Sequence, residues 1–96
     1  MHKERVEAFC KNYGFTEEEA ISAIELLDRY LGYGYTHEIV SLAMRNEMQV
    51  SRQTVRLVKL GHTKNPKLFN LLLDFAVEAQ AEGVAARQTI KESITT

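Results

Sequence analysis

The chain has 96 residues, 26% of them charged and 45% hydrophobic, with a formal net charge of −1. That length supports one domain with a modest core, and no apolar run approaches the roughly 20 residues that a membrane span requires. The single cysteine, Cys10, excludes an internal disulfide; without a spaced partner it reads as a small buried hydrophobe.

Glycine and proline interrupt the chain at Gly14, Gly32, Gly34, Gly61, Pro66 and Gly83, and between them apolar residues recur at helical rather than alternating spacing. The pattern predicts an all-α, compact bundle of about five helices within a single domain, residues 1–96. Residues 1–14 form an accessory helix, 16–82 the core, and 84–96 a tail open to three readings: helical, frayed or a dimer contact. The opening Met1-His2-Lys3-Glu4-Arg5 lacks the apolar block and cleavage site of a signal peptide, so a cytoplasmic protein is expected.

The first predicted helix, residues 3–13, puts Val6, Phe9 and Cys10 on one side and ends at Gly14, a residue suited to a left-handed cap. The second opens on Thr16-Glu17-Glu18-Glu19, the pattern of a capping box, with Phe15 and Ala20 placed to form a hydrophobic staple. Its Ala20, Ile24, Leu27 and Leu31 make an apolar stripe before Gly32-Tyr33-Gly34-Tyr35 turns a corner. Tyr30, Tyr33 and Tyr35 around that corner read as core-closing aromatics rather than base-stacking ones.

Thr36 is the expected cap of a third helix reaching Asn46 or Glu47, with Ile39, Val40, Ala43 and Met44 inward. A turn through Met48, Gln49 and Val50 leads to a fourth helix over residues 51–60, capped by Ser51 and stopped by Gly61. Asn65-Pro66 then starts a fifth helix whose buried face carries Leu68, Leu71, Leu72, Phe75, Ala76 and Ala79. Past Gly83 the period weakens, with Ile90 and Ile94 four residues apart.

Charge is distributed unevenly. Residues 37–67 hold six basic and two acidic groups, net +4, while 1–36 and 68–96 are net −3 and −2. A local positive patch therefore sits on a slightly acidic protein. Within it, Val55 and Val58 are spaced to anchor the fourth helix in the core, whereas Arg52, Arg56 and Lys59 share another face at i, i+4 and i+7.

Two short helices with polar and basic groups on the outer face of the second meet the requirements for placing a helix in the major groove. Ser51, Arg52, Gln53, Thr54 and Arg56 are the expected base contacts, since arginine pairs with guanine and glutamine with adenine through two hydrogen bonds. Lys59, His62, Thr63, Lys64 and Asn65 are the expected phosphate contacts, the last four lying at a loop and helix amino terminus.

The run Val50-Ser51-Arg52-Gln53-Thr54-Val55-Arg56-Leu57-Val58-Lys59-Leu60-Gly61, followed by Lys64-Asn65 and an apolar helix, resembles the lambda-repressor and Cro-like (Xre-type) helix-turn-helix family over residues 36–79. The Val-Ser entry, the Thr-Val pair and the exit glycine carry the likeness. The resemblance implies bacterial or phage transcription regulation. That family usually has a small residue six positions before the serine and a glycine two before it; Arg45 and Gln49 stand there instead. If Ala43 takes the small-residue role, the turn carries about two extra residues.

No metal, cofactor or catalytic activity is expected. His37-Glu38 lacks the second histidine of a zinc-protease helix, Cys10, His2 and His62 have no metal-site spacing, and Glu17-Glu18-Glu19 reads as a solvated first turn. The expected partners are double-stranded DNA and, through two-fold half-sites, a second copy in a homodimer. The alternative is a helical protein-interaction module, adaptor or antitoxin-like, that does not bind DNA and works through an exposed apolar patch.

Overall fold

Five helices follow one another along the chain: α1 Lys3–Tyr13, α2 Glu17–Tyr30, α3 Tyr35–Arg45, α4 Arg52–Lys59 and α5 Pro66–Thr95. They are seen in a computed structural model that describes residues 3–32 and 34–95, with side-chain surroundings described as far as Gly83. Tyr33 of the aromatic corner and the side chains of Ile90 and Ile94 lie outside the described residues. No helix is long and apolar enough to cross a membrane among the described residues.

The element starts follow local chemistry. Thr16 accepts from the Glu19 N–H at 3.2 Å while the Thr16 N–H donates to Glu19 Oε1 at 2.9 Å, completing the capping box. These hydrogen bonds hold the Glu19 carboxyl below its ordinary range. Asn65 Oδ1 caps α5 by accepting from the Leu68 N–H at 3.1 Å, with Pro66 in the first helical position.

α3 starts differently from expectation. Its cap is Gly34, at φ 85°, without a side-chain bond, and Thr36 is instead a buried residue inside the helix. A glycine in the left-handed region makes the corner so tight that the helix begins one residue before Thr36. Gly83 likewise does not end α5, which continues to Thr95; a single glycine costs a helix about 1 kcal/mol relative to alanine, too little to stop a long one.

α5 is 30 residues long, about 45 Å at 1.5 Å per residue. It lies against α2, α3 and α4, while α1 packs on α2 and α3 on α4. The core that results is Phe9, Ala20, Ala23, Ile24, Leu27, Leu31, Ile39, Val55, Val58, Leu68, Phe69, Leu72 and Ala76. The stripe expected on α2 is buried throughout, as are Val55 and Val58. On α5 the buried line runs through Leu68, Phe69, Leu72 and Ala76, with Leu71, Phe75 and Ala79 only half-buried.

Two expectations for side-chain burial change. Met44 is 62% exposed rather than inward, because α3 meets its neighbours through Ile39 and Ala43 and Met44 falls beyond that face. Cys10 is half-buried, packed at the edge of the core.

An aromatic cluster fixes α1 to α5. The Tyr13 ring stacks on Phe69 at 4.1 Å between centroids, Phe9 meets Phe69 edge-on at 4.9 Å, and Phe15 lies 5.8 Å from it. The Tyr13 hydroxyl accepts from the Asn65 N–H at 3.3 Å, linking the same helix to the α5 cap.

The α3–α4 connection, residues 46–51, carries the one positive φ outside glycine among the described residues, Glu47 at 58°. The Glu47 N–H donates to the Met44 carbonyl at 3.0 Å and the Met48 N–H to the Ala43 carbonyl at 2.8 Å, the pairing of a Schellman exit. Glycine is the residue that fits this conformation without steric cost. Glu47→Gly is therefore expected to raise stability by about 1 kcal/mol, read as a higher urea midpoint at unchanged slope; an unchanged or lower midpoint counts against the turn as described.

Candidate nucleic-acid interface

α4 is held at both ends. Ser51 caps it by accepting from the Thr54 N–H at 3.1 Å, and the two hydroxyls lie 3.0 Å apart. At the exit the Gly61 N–H donates to the Val58 carbonyl at 3.2 Å and the His62 N–H to the Leu57 carbonyl at 2.9 Å. Gly61, at φ 84°, also sits so close to α1 that an added Cβ would lie 3.1 Å from Ala8 Cβ. Conformation and close approach both call for glycine there.

The two faces of this eight-residue helix separate cleanly at its start. Val55 and Val58 are fully buried, while Arg52, Gln53 and Arg56 are exposed, and neither arginine enters an ion pair among the described residues. Ser51 and Thr54 lie beside them, but their hydroxyls are engaged with each other and with the helix cap. The structure thus brings Arg52, Gln53 and Arg56 together as the outward groups of α4.

Lys59 departs from the shared face expected for it. Its side chain is 17% exposed, with Nζ 3.9 Å from Asp28 Oδ1 and 4.8 Å from the centre of the Tyr35 ring. The reason is that the end of α4 meets Arg5 of α1, Asp28 of α2 and Tyr35 of α3, whereas Arg52, Gln53 and Arg56 stay exposed. Burial holds the Lys59 ammonium below the ordinary lysine range, with Asp28 acting to raise it and Arg5 to lower it.

Arg5 completes that junction. Its Nε donates to the Lys59 carbonyl at 3.0 Å and its Nη1 to Asp28 Oδ2 at 2.9 Å. A cation on the carboxyl end of a helix complements the helix dipole. Sequence reasoning missed this residue, although one signal was present: Arg5 precedes Phe9 by four positions, which places it on the apolar side of α1.

Beyond α4, His62 and Lys64 are exposed and Thr63 and Asn65 half-buried. The Asn65 side-chain oxygen caps α5 and its N–H donates to Tyr13, so its polar groups serve the fold. Among the described residues, no three His, Cys, Asp or Glu side chains are placed to hold a metal ion. His37, passed over in the sequence as a failed protease motif, lies 3.3 Å from Arg52.

Burial raises the hydroxyl pKa of both Tyr13 and Tyr35; the Asn65 bond opposes this at Tyr13, and Arg56 and Arg5 oppose it at Tyr35. A folded value above the ordinary tyrosine value of about 10 means that stabilisation is present below that pH and lost as pH rises through the folded value. Lys59 has the opposite sign: its desolvation cost fades as pH climbs from its lowered value towards the ordinary lysine value. Tyr13→Phe and Tyr35→Phe should each remove a late-ionising component from an alkaline absorbance titration. A titration unchanged in both variants contradicts the burial of these hydroxyls.

No family model, curated protein or solved structure matches the chain. The candidate interface therefore rests on its own geometry.

Proposed function

We propose that this chain is a sequence-specific double-stranded DNA-binding protein that inserts α4 into the major groove, acting as a transcription regulator of the bacterial or phage Xre-like kind. The observation that carries the reading is the division of α4: valines locked in the core, and Arg52, Gln53 and Arg56 presented together to solvent. Those three read bases; His62, Thr63 and Lys64 hold phosphate. Ser51 and Thr54 serve first as the cap that aims them, and Lys59 and Asn65 as structural supports.

The spacing of the turn fits a lengthened version of the family pattern. Ala43 is fully buried and Glu47 takes the left-handed position, four residues apart. That is the separation between the family's usual small residue and glycine, shifted two positions toward the amino terminus. Homodimerisation on a two-fold site belongs to the same proposal, since one such helix contacts few bases. Location in the cytoplasm, beside DNA, follows from it.

The test is fluorescence polarisation with duplex DNA at low and moderate salt. Binding should weaken steeply as salt rises, and the double variant Arg52→Ala, Arg56→Ala should lose about 100-fold in affinity, one to three kcal/mol being roughly the worth of each paired base contact. Both side chains are exposed, so helical content and thermal midpoint should be unchanged. Wild-type protein that fails to bind any duplex at low salt would instead favour the interaction module.

A further inference from the structure

α1 and α2 leave a groove of about 890 Å³ between them, floored by Val6 and Cys10 of α1 and Ile21 of α2. Val6 and Cys10 are half-buried, and Ile21, at 40%, is one of four large hydrophobic side chains left exposed among the described residues. Four charged groups rim the floor: Lys3, Glu7 and Lys11 at every fourth position of α1, and Glu17 at the start of α2. All four are exposed, and neither ion pair among the described residues includes any of them.

We infer that this groove is the face through which two copies of the chain pair about a two-fold axis, an inference that rests on the homodimer part of the reading above. A two-fold interface sets one patch against itself, so the patch must complement its own reversed copy. The rim meets that condition in antiparallel register. With the axis beside Cys10, Glu7 faces Lys11 of the second copy and Lys3 faces Glu17 of the second copy; symmetry repeats both pairs, and every rim charge meets its opposite. The two apolar floors close on each other between these pairs. The stretch 37–67, net +4, lacks this property, because set against itself it gathers like charge. None of Arg52, Gln53 and Arg56 lines the groove, so pairing here leaves the outward groups of both α4 helices uncovered. Exposed ion pairs contribute little each and the floor is small, so the dimer is weak in free solution.

The experiment is sedimentation equilibrium of the full chain without DNA, from about 1 μM to about 1 mM, under reducing conditions so that Cys10 forms no disulfide. The wild type should pass from monomer to dimer across that range. Glu7→Lys and Lys11→Glu each turn two attractive pairs into repulsive ones, and each alone should weaken the dimer about 30-fold. An equimolar mixture of the two variants should recover the dimer, because each then supplies the charge that the other lacks. Both positions are exposed, so helical content should be unchanged. A wild type that stays monomeric to about 1 mM, a dimer indifferent to both reversals, or a mixture that does not recover overturns the proposed face. Duplex binding at low salt is read separately: a wild-type dimer that binds no duplex defeats the DNA reading and keeps the face, and a monomer that binds duplex does the reverse.

Discussion

Val55→Asp is expected to leave the domain largely unfolded at room temperature. Val55 is fully buried at the centre of α4, in one core with Ile39 on α3 and Leu72 on α5. The substitution forfeits about 2 kcal/mol of apolar burial and places a carboxyl group where no partner waits, at a further cost of roughly 2–7 kcal/mol even after it takes up a proton. A domain this small has a total stability near the lower end of about 5–15 kcal/mol. Circular dichroism and urea unfolding measure the result. A cooperative transition within about 1 kcal/mol of the parent would mean that Val55 does not sit in the core. The contrast with Arg52 and Arg56 matters because they lie on the same eight-residue helix: one face carries the fold, the other the proposed recognition.

Phe69→Ala should cost about 4 kcal/mol, the middle of the range for emptying a buried aromatic site. Phe69 is 1% exposed and touches the rings of Phe9, Tyr13 and Phe15, so its removal takes the stacked and edge-on pairs together. At 4–8 °C for each kcal/mol in a domain of this size, the thermal midpoint should fall by ~20 °C. Phe69→Leu, which retains much of the volume, should lose far less. A drop below about 1 kcal/mol in the alanine variant would show that α1 is not fixed to α5 through this ring.

Phe69 also marks a limit of the sequence. The apolar positions of α5 are dense enough that several adjacent stripes satisfy a helical period, and the one through Leu71, Phe75 and Ala79 is equally regular. Only the arrival of α1, with Phe9 and Tyr13, decides that Phe69 faces inward. The α2 stripe was legible because Ala20, Ile24, Leu27 and Leu31 recur at helical spacing directly after a capping box. The caps at Thr16, Ser51 and Asn65 were legible too, because their bonds are local.

Two departures were hidden for different reasons, one depending on neighbours distant in sequence and the other on a turn of unusual backbone. Lys59 keeps the helical phase of Arg52, yet the end of α4 is enclosed by Asp28, Tyr35 and Arg5, which no periodicity within α4 reveals. The start of α3 was misplaced because Thr36 has the chemistry of a cap, while Gly34 reaches the same end by conformation. The candidate interface was thus legible as to which helix and which outward residues, and not as to its supports.

The hold of Arg5 on the Lys59 carbonyl reaches across 54 positions of chain. Because that carbonyl belongs to the final turn of α4, α1 is one of the supports that fix the direction in which the short helix points. On the proposed DNA-binding reading, a substitution at position 5 therefore changes the bearing of α4 while Arg52, Gln53 and Arg56 stay the same.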